Sequence, residues 1–144
     1  MIKSLEEFNV YNLALGLGDE VWKLVSAWTY FEKDTAGKQL VRASDSIAAN
    51  LSEGLGRFHI KEIKNFSYYA RGSLFETKTW LTKANSRNLI DQRHFTKLLA
   101  DLEIIGKMLN SYINTLKPLT PKTKAPRSKS QDPSPNTQVP SPKT

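Results

Sequence analysis

Residues 39–57 read QLVRASDSIAANLSEGLGR. Leu40, Ser44, Ile47, Leu51 and Leu55 recur every three or four positions, which places one narrow apolar stripe on a helix. Arg42, Ser46, Ala49, Asn50 and Glu53 share a second, polar face of the same helix. Small and hydrogen-bonding side chains permit close helix approach. Arg42, Ser46, Asn50 and Glu53 therefore read as a polar contact to another helix or another subunit, with an ordinary solvated face as the plain alternative. Gly54-Leu55-Gly56 follows a helix rather than a strand, and it lacks both the later glycine of G-x-G-x-x-G and any G-K-[ST]. The expected role of these glycines is a C-cap with a left-handed residue, not a phosphate loop. The spacing predicts this helix over about residues 35–55.

One narrow stripe cannot close a core alone, and the flanking sequence supplies the rest. Ser4-Leu5-Glu6-Glu7 has the form of a capping box. Two apolar stripes follow it: Phe8, Tyr11, Leu15, Trp22, Val25, and beside them Leu13, Leu17, Val21, Leu24, Trp28, Phe31. Helix one thus carries more apolar surface than one helical neighbour needs. Helix three is predicted over about 60–84, with Ile63, Phe66, Ala70, Leu74, Thr77 and Leu81 inward. Asp91 is a good N-cap for helix four, where Phe95, Leu98, Leu102, Ile105, Leu109, Tyr112 and Leu116 form an unbroken a/d seam. Short links are expected at 32–35, 56–60 and 85–91. The fold class expected is all-α: an antiparallel up-down-up-down four-helix bundle over residues 1–117.

All seven prolines lie at or beyond Pro118. Residues 118–144 are rich in Pro, Ser, Thr and Lys and almost free of apolar side chains, so a disordered tail is expected there. Charge is uneven along the chain. Residues 1–56 hold five basic and eight acidic side chains, residues 57–117 hold eleven and five, and the tail holds five and one. Such a dipole favours a polyanion on the basic side, or head-to-tail self-association. The absence of cysteine excludes disulfides and thiolate chemistry. No apolar run is long enough to span a membrane, and MIKSLEEFNVYN has acids early, unlike a signal peptide. A cytoplasmic location without membrane association is expected.

Three stretches carry more than bundle patterning: FNVY at 8–11, residues 39–57, and FSYYARGSLFETKTWL at 66–81. They resemble the four-helix-bundle family named for proteins encoded in intervening sequences of bacterial 23S ribosomal RNA. The matching positions are Gln39, Leu40, Arg42, Ala43, Ser46, Ile47, Asn50, Glu53, Gly54, Gly56 and Arg57. In helix three they are Phe66, Ala70, Gly72, Ser73, Glu76 and Leu81. Ala48 stands where that family usually has proline, and Ser52 replaces an alanine. The resemblance covers roughly residues 4–116. It implies a homo-oligomer, a pentamer of bundles around a central channel. One branch of the family, the accessory variability determinants of diversity-generating retroelements, acts with a reverse transcriptase and its template RNA, which makes a reverse transcriptase a further partner to consider.

Arg57, Lys61, Lys64, Tyr68, Arg71, Phe75 and Lys78 are spaced alternately by four and three residues, a single stripe away from the predicted core face of helix three. Cations neutralise phosphates and aromatic rings stack on bases, so this stripe is the candidate for contact with RNA or DNA. The same spacing also suits a solvated face, or a subunit seam using Tyr68 and Phe75. His59 and His94 each lack a glutamate three residues before them, and the carboxylates at Glu53 and Glu76 read as helix-packing groups. No metal, no cofactor and no catalytic residue is expected, and the chain is expected not to be an enzyme.

Overall fold

The computed structural model describes residues 2 and 4–117. The expected tail, 118–144, lies outside the described residues. Four long helices make up the fold: α1 (Asn9–Ser26), α2 (Lys38–Leu55), α3 (Ile60–Ser86) and α4 (Gln92–Thr115). A single α turn, Tyr30–Glu32, and a π-helical turn, Lys33–Gly37, run into α2 without leaving the right-handed helical region. No strand is formed among the described residues. None of their helices is long and apolar enough to cross a membrane.

α2 packs on α1 and α3, and α4 packs on α3 and α1. The contacts run in opposite order along each pair. Gly18 lies at Asp45 and Val25 at Gly37; Leu74 lies at Gly106 and Arg71 at Asn110; Phe8 lies at Tyr112 and Glu20 at Lys97. Neighbours are therefore antiparallel, as an up-down-up-down bundle requires. The core holds Leu17, Val21, Leu40, Ile47, Leu51, Ala70, Leu81, Leu98, Leu102, Ile105 and Leu109, all at most 2% exposed. Three hydroxyls are buried with them. Ser44, Ser67 and Thr77 donate to the carbonyls of Val41, Ile63 and Ser73 at 3.2, 2.9 and 2.7 Å, so burial leaves their protons satisfied.

The first link differs from the expectation. It falls at residues 27–29, not 32–35. The amides of Ala27 and Trp28 turn back to the carbonyls of Leu24 and Val25, tightening the last turn of α1. Thr29 then starts the next helix with a reciprocal capping box: its hydroxyl accepts from the Glu32 amide at 3.3 Å, and its amide donates to the Glu32 carboxylate at 3.0 Å. The expected box at Ser4 does not form. Its hydroxyl meets the Glu7 carboxylate at 3.4 Å over a short 3₁₀ turn, and α1 begins later, at Asn9, behind buried Phe8. Asp91 caps α4 as expected, accepting from the His94 amide at 2.8 Å. That backbone bond, with a second contact to the His94 ring Nδ1 at 2.9 Å, holds the Asp91 carboxyl below its ordinary range.

Gly56 is the C-cap of α2 as expected, but the left-handed backbone expected at Gly54 and Gly56 is a second correction. Both have right-handed backbone, since among the described residues no glycine has positive φ. Gly54 is needed for room. A Cβ there would sit 2.9 Å from the Phe66 Cβ and 3.3 Å from the Ile63 carbonyl oxygen, so α2 and α3 approach across it.

Candidate nucleic-acid interface

α3 is 27 residues long, about 40 Å at 1.5 Å per residue, and its inner face is committed to the core through Ile63, Ser67, Ala70, Leu74, Thr77, Leu81 and Ala84. The residues between them must face outward. Lys61, Tyr68, Arg71 and Phe75 are exposed, and Lys64 and Lys78 are half-buried at the stems. The Tyr68 and Phe75 rings are 46% and 56% exposed. Arg71 sits 5.7 Å from the Tyr68 ring centroid, and Lys78 sits 5.7 Å from that of Phe75. Arg71 also donates to the Asn110 side chain of α4 at 3.3 Å, which holds the stripe on the α3/α4 side of the bundle. Among the described residues, Lys61, Lys64, Arg71 and Lys78 form no ion pair with a carboxylate. Their charge is thus not neutralised by any direct carboxylate partner.

Arg57 stands apart from the other six. It lies in the link before α3, where helical spacing no longer governs direction, and it turns toward α2. Its guanidinium pairs with Glu53 at 2.8 Å and lies 4.9 Å from the Phe66 ring, which in turn packs edge-on against Tyr69. The outer α2/α3 surface thus carries a connected group of Glu53, Arg57, Phe66 and Tyr69.

Of the polar α2 face, Arg42 and Glu53 are exposed and Ser46 and Asn50 are half-buried. Asn50 donates to the Ser46 carbonyl at 2.9 Å, within its own helix. Glu53 and Glu76 are both surface carboxylates rather than buried packing groups. Trp28 and Trp80 pack against the core from its margin. Among the described residues no three His, Asp or Glu side chains converge to hold a metal ion.

Two exposed residues, Thr79 and Lys83, lie beside the stripe but off its four-and-three spacing. Thr79 and Lys83 line a shallow cleft of about 350 Å³ with Phe75, Lys78 and Thr82. Lys83 lies 5.5 Å from the Trp80 ring centroid. The signal was present in the sequence: Trp80/Lys83 repeats the ring-then-cation spacing of Tyr68/Arg71 and Phe75/Lys78.

Residues 6–111 match the family described as 23S rRNA-intervening sequence protein. The fold is also that of a crystal structure of a protein with unknown function from the S23 ribosomal protein family of Bacteroides thetaiotaomicron. The TM-score is 0.66 at 23% identity, over 72% of this chain and 97% of that one. No curated protein matches the chain. With the bundle formed as its sequence requires and the family match spanning most of it, the chain belongs to the 23S rRNA-intervening sequence protein family.

Proposed function

We propose that this protein is a non-enzymatic, nucleic-acid-associated bundle that binds RNA along the outer face of α3 and works as a homo-oligomeric ring. The observation that carries this reading is the stripe itself. Four cations without carboxylate partners alternate with two half-exposed rings along one helix face. Cations supply affinity through counterion release, and rings supply sequence-tolerant stacking. Self-association draws support from different surfaces: Leu15 and Trp22 on one flank of α1 and Leu13 on the other remain exposed, Trp22 at 61%, although α1 already has its core face satisfied. Five subunits is the number that the family resemblance implies.

A second reading is a scaffold that holds a protein, such as a reverse transcriptase with its template RNA. It is favoured by the alternating four-and-three spacing of the stripe, which is also that of a helix-packing seam. Lys64→Glu combined with Arg71→Glu separates the two. Both positions lie off the core face, so helical content should survive. If the stripe contacts phosphate, affinity for single-stranded RNA falls at least tenfold at moderate salt, about 1.4 kcal/mol or more. The mass in solution, several times 16.3 kDa, stays the same. Unchanged RNA binding contradicts the nucleic-acid reading, and a ring that falls to monomers makes the stripe a protein interface.

A further inference from the structure

We propose that the C-terminal half of α3 holds a subsite for one unpaired nucleotide, with the base on Phe75 and its phosphate held by Lys78, Thr79 and Lys83. This rests on the nucleic-acid reading above and extends it to residues outside the stripe. At 100° per residue, Phe75, Thr79 and Thr82 lie along the middle of one outward face, with Lys78 on one flank and Lys83 on the other. Phe75 presents a half-exposed ring to solvent. The two ammonium groups sit near rings, 5.7 Å from Phe75 and 5.5 Å from Trp80, and neither has a carboxylate partner among the described residues.

The hydroxyls divide the work. Thr82 donates to the Lys78 carbonyl at 2.8 Å, so its proton is committed to the helix. Thr79 donates to no acceptor among the described residues, which leaves its proton for a ligand oxygen. The cleft therefore offers two ammonium groups and one hydroxyl proton beside an aromatic face; the threonine oxygens keep lone pairs, so it is the two cationic charges that select an anion. A phosphate is acceptor-only and anionic, and a base has a π-face; a nucleotide brings both at once. The ligand must be unpaired. A duplex keeps its base faces stacked inside and shows only edges in its grooves, where Phe75 would find nothing to stack on. On binding, the Lys78 ammonium exchanges the Phe75 ring for a phosphate oxygen as the base takes its place on the ring.

The test is a salt titration of binding to a labelled single strand of about a dozen nucleotides, in RNA and DNA forms, beside a duplex of the same sequence. The wild type and Phe75→Ala, Thr79→Val and Lys83→Gln variants are compared, all changed at surface positions and checked for helical content. Phe75→Ala should weaken single-strand binding at least fivefold without changing the salt slope, because stacking releases no counterions. Lys83→Gln should weaken it and make the log–log slope shallower by less than the roughly 0.7 of a whole phosphate contact, because Lys78 still holds the same phosphate. Thr79→Val should weaken it at unchanged slope. The duplex should bind more weakly and ignore Phe75→Ala. Equal affinity for RNA and DNA assigns the site to base and phosphate; a preference for RNA adds the 2′-hydroxyl to the same site. If Phe75→Ala and Lys83→Gln bind like wild type while Lys64→Glu/Arg71→Glu fails, the subsite is wrong and the stripe stands. If the wild type binds no strand, both fall.

Discussion

Gly54 shows how one residue type can be read for the wrong property. Its place after the apolar stripe of helix two suggests backbone freedom, yet its φ is ordinary and its value is the missing side chain. Gly54→Ala gains helix propensity of about 1 kcal/mol but forces a Cβ to within 2.9 Å of Phe66 and 3.3 Å of the Ile63 carbonyl oxygen. The carbonyl is backbone and cannot swing aside, so the net change should be a loss of about 1–2 kcal/mol, read by denaturant unfolding. Gly72, in mid-α3, meets nothing within 4 Å. Gly72→Ala should therefore stabilise by about 0.5–1 kcal/mol. Asp45 is a second single-residue case. Burial and the nearby Asp19 charge raise its pKa above the ordinary carboxylate value. The folded state thus holds that proton more tightly than the unfolded chain, and stability falls as pH rises through the raised pKa. The cost is absent below the ordinary value and fully present at neutral pH. Asp45→Asn should raise the melting temperature slightly at pH 7, and the gain should fade as pH falls toward 3; the carboxylate is largely solvated, so screening keeps the effect small.

At the scale of elements, what the sequence discloses depends on whether one physical cause controls the boundary. α4 begins on Asp91 and keeps a strict three-and-four seam to Leu116, so period and cap agree and the helix is readable in full. The end of α1 is not readable by period. Trp28 and Phe31 continue the apolar spacing across a break made by backbone bonds at Ala27 and Trp28 and by the Thr29 cap. Gly37 completes that corner: a Cβ there would lie 2.7 Å from Val25 and 3.4 Å from the Trp28 ring. Thr29→Ala should cost about 1 kcal/mol of stability by equilibrium unfolding, since it removes the hydroxyl that accepts from the Glu32 amide and leaves only the reciprocal bond from the residue-29 amide to the Glu32 carboxylate. No loss would mean that the residue-29 amide bond to Glu32 and Trp28 packing hold the turn without the hydroxyl. The same limit explains Arg57. The four-and-three spacing includes it, but α3 starts only at Ile60, and ahead of that start the side chain turns to Glu53 and Phe66. Within α3 the six remaining positions fall outside the core face as their spacing requires, while Thr79 and Lys83 each lie one step off the stripe, where a four-and-three count does not reach and only the Trp80/Lys83 ring-then-cation spacing points to Lys83.

For the whole molecule, the acidic first half and the basic second half become opposite sides of one bundle: α1 and α2 on one, α3 and α4 on the other. The proposed polyanion contact on α3 and the proposed self-association through α1 therefore fall on different sides of the bundle. The most direct measurement is the affinity of the wild-type protein for single-stranded RNA as a function of salt. Lys61, Lys64, Arg71 and Lys78 together, at about 0.7 per phosphate contact, give an expected log–log slope of about −3 per bound protomer. A slope near zero, or no binding even at low salt, would contradict the assignment of α3 as a nucleic-acid surface.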